Sequence, residues 1–298
     1  MEHNNQGFSR RTALKMAAAT SVALVGTSLS NRISAAESVL DTGLKGKVNH
    51  SVCRWCYESI PLEDLCKAAN KIGLQSIELT GPDEWPILKK YGLTSAMPWG
   101  AGKGITQGFN DLKYHDELVK SYEEVIPKAA AAGLNQIICF SGNRNGIDDY
   151  QGIKNCAIGL KRLMSIAEKH KVTVVMELLN SKVNHKDYQC DHTNWGAALC
   201  EAVGSDRFKL LYDIYHMQIM EGDVIATIKD YNKYISHYHT GGVPGRNEID
   251  DTQELNYPAI MKAILDTGFK GFVAQEFIPK RPDKIASLKQ GVQICDVA

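Results

Sequence analysis

Four residues of the types that bind cations or move protons recur at a regular interval: Glu177, Asp213, His239 and Glu276, separated by 36, 26 and 37 residues. Each closes a short apolar run: Val172-Thr173-Val174-Val175-Met176-Glu177, Leu210-Leu211-Tyr212-Asp213, Ile235-Ser236-His237-Tyr238-His239 and Phe272-Val273-Ala274-Gln275-Glu276. A single acidic residue at a strand end can be no more than a cap for the next helix. Three carboxylates and an imidazole brought together would repel one another and lose hydration unless a cation compensated them. A divalent metal is the simplest solution. Hard oxygen ligands with one histidine suit Mg2+ or Mn2+, and Zn2+, Co2+ and Fe2+ also fit the set.

Further polar residues follow these runs. Asn180 lies three residues after Glu177 and His216 three after Asp213, where they could meet substrate oxygens from the loops; the bland alternatives are a helix-capping Asn and a solvated His. Arg246, in Gly241-Gly242-Val243-Pro244-Gly245-Arg246-Asn247-Glu248, suits bidentate capture of a substrate carboxylate or phosphate, against the alternative of a surface ion pair. His185 and Lys182 are weaker candidates. Trp55, Tyr57, Trp85 and Trp99 follow the early runs and could wall a sugar-sized pocket, although such residues more often belong to cores.

The elements that must position these groups alternate. Strand-like runs occupy 48–53, 76–80, 94–98, 136–141, 172–178, 209–214, 235–240 and 271–277, and amphipathic helical patterns occupy 62–72, 85–90, 115–132, 150–170, 195–203, 224–234, 257–266 and 282–297. Gly73, Gly92, Gly133, Gly204 and Gly268 stand where helices would end and the next strand begin. Eight strand–helix units in one domain predict an α/β (β/α)8 TIM barrel. In such a barrel the four residues come from the fifth to eighth strands and converge at the C-terminal mouth. A doubly wound open sheet is the alternative; the absence of a Gly-rich phosphate loop after the first strand weakens it.

The N-terminus reads as a separate segment. Ser9-Arg10-Arg11-Thr12-Ala13-Leu14-Lys15, a small apolar stretch from Met16 to Leu29 and Ser34-Ala35-Ala36 form a twin-arginine export pattern with a cleavage site. The expected organisation is a signal peptide at 1–36 and the barrel at 37–298, with the twin-arginine machinery as a partner and a periplasmic or exported location. The apolar stretch is too short and too polar to be a membrane span. The whole chain has 34 basic and 34 acidic residues, so no basic excess favours nucleic acid. Eight cysteines in a chain of this size read as small buried hydrophobes rather than a disulfide framework, and Cys53-x-x-Cys56 without a second pair is weak evidence for zinc. A homo-oligomer stays open.

Tyr212-Asp213-Ile214-Tyr215-His216-Met217-Gln218, followed by Met220-Glu221-Gly222, resembles the corresponding segment of the hydroxypyruvate isomerases, members of the xylose isomerase-like TIM-barrel superfamily. Met176-Glu177-Leu178-Leu179-Asn180, Pro244-Gly245-Arg246-Asn247-Glu248 and Gly271-Phe272-Val273-Ala274-Gln275-Glu276-Phe277 support the likeness, which is strongest from Val172 to Pro279. The resemblance implies a divalent metal held by Glu177, Asp213, His239 and Glu276, with Glu177 and Glu276 also forming the acid/base pair. Hydroxypyruvate isomerases tend to carry Gln at the position of His239, where ketose 3-epimerases carry His. The likeness therefore implies the chemistry more firmly than the substrate.

The expected activity is aldose–ketose type isomerisation of hydroxypyruvate or a related small keto acid or sugar, by proton transfer through an enediolate. A ketose 3-epimerase, or a dehydratase or lyase on a polyol or 3-keto sugar, would use the same groups. Readings of another class are a metal-dependent endonuclease, which would need a basic face and more histidines, and a sugar-binding protein, which would need no acid/base pair.

Overall fold

The computed structural model describes residues 43–298, so the export signal expected at 1–36 lies outside the described residues. Seven parallel strands form one curled sheet: β1 (Asn49–Cys53), β2 (Ser76–Glu78), β3 (Gln136–Cys139), β4 (Thr173–Glu177), β5 (Phe208–Asp213), β6 (Ile235–Thr240) and β7 (Phe272–Gln275). Their spatial order is β2-β1-β7-β6-β5-β4-β3. Around them, among the described residues, run α1 (Leu62–Ile72), α2 (Trp85–Lys90), α3 (His115–Ala131), α4 (Asp149–His170), α5 (Thr193–Val203), α6 (Ile214–Met220), α7 (Val224–Tyr231), α8 (Tyr257–Asp266) and α9 (Lys284–Cys295).

The third expected strand, 94–98, is corrected by the structure: it contributes a single parallel bridge, Thr94 with Ser76. The chain nevertheless runs between the two sheet edges. Ile77 N and Leu79 N donate to the carbonyls of Thr94 and Met97 at 3.1 and 2.9 Å, and Ile138 N donates to Pro98 at 3.1 Å. Two residues explain the broken ladder. Ala96 N donates to the Ser76 hydroxyl at 2.8 Å instead of to a backbone carbonyl, and Pro98 has no N–H to give. The barrel thus closes through an irregular segment.

Alternation along each strand separates two apolar layers. Ile137, Val174, Met176, Leu210, Tyr212 and Tyr238 pack outward with Leu160, Leu163 and Ile264 of the helical shell. Their neighbours Ile138, Val175 and Leu211 point the other way, joining Met97 in a small apolar plug inside the barrel. Burial on both faces is why these strands read as continuous apolar runs. Helix ends follow local chemistry: the Asp148 carboxylate accepts Gln151 N at 2.7 Å to start α4, and Gly73 ends α1 in the left-handed region at φ 98°, a conformation costly for residues with a Cβ. The short helix α6 is not expected from the sequence, which ends a strand at Ile214 and places His216 in the loop after it.

All eight cysteines are buried and unpaired, in agreement with the reading as small apolar residues. Among the described residues no helix is long and apolar enough to cross a membrane.

Candidate active site

At the C-terminal mouth, ligand atoms of Glu177, Asp213, His239 and Glu276 all lie within 4.8 Å of one another. Glu177 and Asp213 are the last residues of β4 and β5, His239 lies near the end of β6, and Glu276 directly follows β7. An irregularity in the β5–β6 register brings two of them level. Leu210 pairs with Ile235 but Leu211 pairs with His237, so Asp213 lies opposite His239. Without the extra residue in β6, Asp213 would face Tyr238, whose ring packs in the outer layer; the bulge turns His237 and His239 inward.

The four groups are almost fully buried, and their surroundings differ. Glu276 is richly partnered: Oε1 accepts from Trp55 Nε1 at 2.8 Å, and Oε2 lies 2.9 Å from His239 Nδ1 and 2.5 Å from Arg246 Nη2. Burial would raise its carboxyl, but Arg246 and His239 outweigh burial and hold it well below the usual range. Glu177 is 3.4 Å from His239 Nδ1, and its buried Oε1 has no hydrogen-bond partner. Burial, reinforced by the charge of Glu276, raises its carboxyl. Burial also lifts Asp213 well above the ordinary value, against the opposing pull of Arg246.

Three carboxylates face one guanidinium. Arg246 reaches Asp213 Oδ2 at 3.3 Å as well as Glu276, and its head lies 5.1 and 5.3 Å from the ring centres of Trp55 and Tyr215. Arg246, expected from the sequence to meet a substrate carboxylate or phosphate, is buried against these carboxylates and also lines the cavity. The remaining negative charge, the partnerless Glu177 oxygen and the mixed O/N donors all fit a divalent cation.

His216 and Asn180 belong to one arrangement. Asp213 accepts His216 N at 3.0 Å as the cap of α6, Asn180 Nδ2 donates to His216 Nδ1 at 2.6 Å, and Asn180 Oδ1 accepts from Val183 N and Asn184 N. With Nδ1 an acceptor, the His216 proton lies on Nε2, which has no protein partner and is 3.7 Å from Asp213 Oδ2. Burial, aided by the charge of Arg246, holds His216 well below its ordinary pKa, so it is a neutral donor. His185 lines the cavity, and its ring meets that of His216 edge-on at 5.3 Å. Lys182 does not join the site; it donates to the carbonyls of Ile219 and Met220 at the end of α6.

The cavity has a volume of about 510 Å³. Trp55 and Trp99 line it with Leu79, Ile105, Ile138 and Phe140, whereas Trp85 and Tyr57 are core residues. Sequence reasoning missed Glu78 and His237. Glu78 ends β2 with no exposure, and its Oε1 is 2.7 Å from His237 Nε2 and 2.8 Å from His239 Nε2. Burial would raise the Glu78 carboxyl, but the two imidazoles pull it down to about 2. The available signal was a lone carboxylate inside the apolar run Ile77-Glu78-Leu79.

The xylose isomerase-like TIM barrel family model matches residues 66–295. Hydroxypyruvate isomerase of Escherichia coli is 30% identical over 229 residues, covering 71% of this chain and 86% of that protein. A putative human hydroxypyruvate isomerase is 26% identical over 236 residues, covering 76% and 78%. Among solved structures, an AP endonuclease of family 2 from Brucella melitensis superposes with a TM-score of 0.74 at 21% identity, covering 83% of this chain and 99% of that one. The 3-keto-D-glucoside 4-epimerase of E. coli gives 0.69 at 16% identity, covering 83% and 98%. At such identities the structural likenesses establish a shared fold. The family model and the sequence relatives go further: the chain belongs to the xylose isomerase-like TIM barrel family, and the sequence relatives above are named as isomerases.

Proposed function

We propose that the protein is a metal-dependent isomerase that moves a proton between neighbouring carbons of a small hydroxy-carbonyl compound, hydroxypyruvate or a related keto acid or sugar. The observation that carries this reading is the convergence of Glu177, Asp213, His239 and Glu276 within 4.8 Å of one another, beside a cavity that Glu177 and Glu276 line. These four residues would hold the divalent ion, Mg2+ or Mn2+ by the hardness of the set, with Zn2+, Co2+ or Fe2+ also accommodated. When bound, such an ion polarises the substrate carbonyl and offsets the negative charge that develops on its oxygens.

The protein groups divide the remaining work. Glu177 and Glu276, at the ends of two different strands of the mouth, form the acid/base pair: one takes the proton beside the carbonyl and the other returns it. His216 Nε2–H is a neutral donor for a substrate hydroxyl or carbonyl oxygen, with Asn180 holding its tautomer. Arg246 adds positive charge beside the reacting carbons, and His185 closes the wall next to His216.

Epimerisation of a ketose is the second reading, favoured by the size and apolar lining of the cavity. A three-carbon acid offers nothing to Trp99, Ile105 and Phe140, whereas the carbon face of a sugar does. Incubation in D2O with hydroxypyruvate, ketoses and a 3-keto sugar, followed by NMR and compared with EDTA-treated protein, tests both. Metal-dependent deuterium incorporation beside one carbonyl is the expected result and identifies the substrate class; no exchange by metal-loaded protein with any of them would overturn the proton-transfer reading. We further propose export by the twin-arginine machinery to the periplasm or beyond, on the strength of Arg10-Arg11 and Ser34-Ala35-Ala36; retention of a fused reporter in the cytoplasm would refute it.

A further inference from the structure

Inside the barrel, one level below the four-residue cluster, Glu78 occupies a place where such folds normally put an aliphatic side chain. The nearby interior is built that way, from Met97, Ile138, Val175 and Leu211. A fully buried carboxylate is costly, and a leucine would fill the space without that cost. What the carboxylate gains is contact across the barrel. β2 is three strands from β6 in the sheet, yet Glu78 Oε1 lies 2.8 Å from His239 Nε2 and 2.7 Å from His237 Nε2. The other nitrogen of His239, Nδ1, faces the cluster, 2.9 Å from Glu276 and 3.4 Å from Glu177.

That two-sided setting poses a choice of tautomer. A neutral His239 with its proton on Nδ1 would donate to Glu276 and turn no lone pair toward the cluster. A proton on Nε2 leaves Nδ1 free to ligate. Cys53 Sγ, 3.8 Å from Nε2, is at most a weak acceptor, so the decision falls to Glu78. We infer that Glu78 is a positioning residue: by accepting the Nε2–H of His239 across the barrel, it presents the Nδ1 lone pair to the cation. The inference rests on the metal reading above. A carboxylate behind a ligating imidazole fixes its ring and strengthens its basicity, and loss of such a partner weakens metal binding about 10- to 100-fold.

The test uses the full barrel stripped of metal, with Glu78→Leu and Glu78→Gln variants and two readouts. Calorimetric titration with Mn2+ should show 10- to 100-fold weaker binding for Glu78→Leu, with Glu78→Gln between that and the unsubstituted protein. In 15N-histidine-labelled protein, the Nε2–H resonance of His239 should be protected from exchange in the unsubstituted protein and in Glu78→Gln, whose side-chain oxygen still accepts, and lost in Glu78→Leu. The Gln variant, close to isosteric, keeps the test decisive if the Leu variant does not fold. Unchanged Mn2+ affinity in folded Glu78→Leu, or an unprotected His239 Nε2–H in the unsubstituted protein or in Glu78→Gln, overturns the positioning role alone. Failure of the unsubstituted protein to bind Mn2+ or Zn2+ overturns the metal reading, and this inference with it.

Discussion

The two sides of the barrel mouth are made of different chemistry. β4 to β7 deliver Glu177, Asp213, His239 and Glu276, each at or next to a strand end and each almost excluded from solvent. β1, β2, the 94–98 segment and β3 deliver Trp55, Leu79, Trp99, Ile138 and Phe140 to the same cavity, and Trp99 is 51% exposed. One side holds charges whose spacing cannot vary without losing their function. The other offers a largely apolar surface, edged by Arg54, Glu58 and Glu84, whose shape can change with the substrate. On the proposed function, reaction and recognition fall to different strands of one sheet, in keeping with a sequence resemblance that is strong after Val172 and diffuse before it. Glu78 is an early-strand residue that reaches over to His237 and His239 on the far side.

The sharpest way to break this division is to neutralise the proposed acid/base pair. Glu177→Gln or Glu276→Gln should lower kcat by about 10²- to 10⁴-fold while the unfolding temperature stays within a few degrees, as steady-state kinetics and calorimetry would show. A variant with full turnover would move the chemistry elsewhere. Metal removal comes next. Saturation at about 100 times Kd stabilises a folded protein by about 2.7 kcal/mol, so EDTA should lower the unfolding temperature as well as abolish turnover.

A third effect separates the loop that carries Arg246 from the site itself. Glu248 accepts from Lys280 N, Arg281 N and the Ser287 hydroxyl, tying that loop to the start of α9. Glu248→Ala should cost about 2 kcal/mol in urea unfolding at neutral pH. Burial would raise the Glu248 carboxyl, but these donors outweigh it and hold it below its ordinary 4.5. A depressed folded pKa means that its contribution is complete above the unfolded value and is lost as pH falls through the folded one. The gap between Glu248→Ala and the unsubstituted protein should therefore narrow below pH 4.5. The smallest effect belongs to the apolar wall. Trp99→Ala should raise KM about tenfold, or about 1.4 kcal/mol, for a ketose while leaving kcat and folding nearly unchanged. If kcat fell instead, the wall would be part of the reaction and the division would fail.

Much of this was legible in the sequence because it is periodic. Apolar runs buried on both faces, glycines at helix ends and chemical residues at strand ends are local properties, so seven of eight strands and the four converging groups could be read from spacing alone. The expected strand at 94–98 failed for a reason that spacing does not carry: the Ser76 hydroxyl captures the N–H of Ala96, and Pro98 has none to offer. Three features needed the tertiary structure. The β5–β6 register shift turns His237 and His239 inward, Arg246 folds into the carboxylates instead of facing solvent, and Glu78 meets two histidines 159 and 161 residues away. Each depends on contacts between segments far apart in the chain. Sequence periodicity determines which residues stand at the mouth of this barrel, whereas closure of the sheet determines which of them touch and therefore which charges, tautomers and protons they hold.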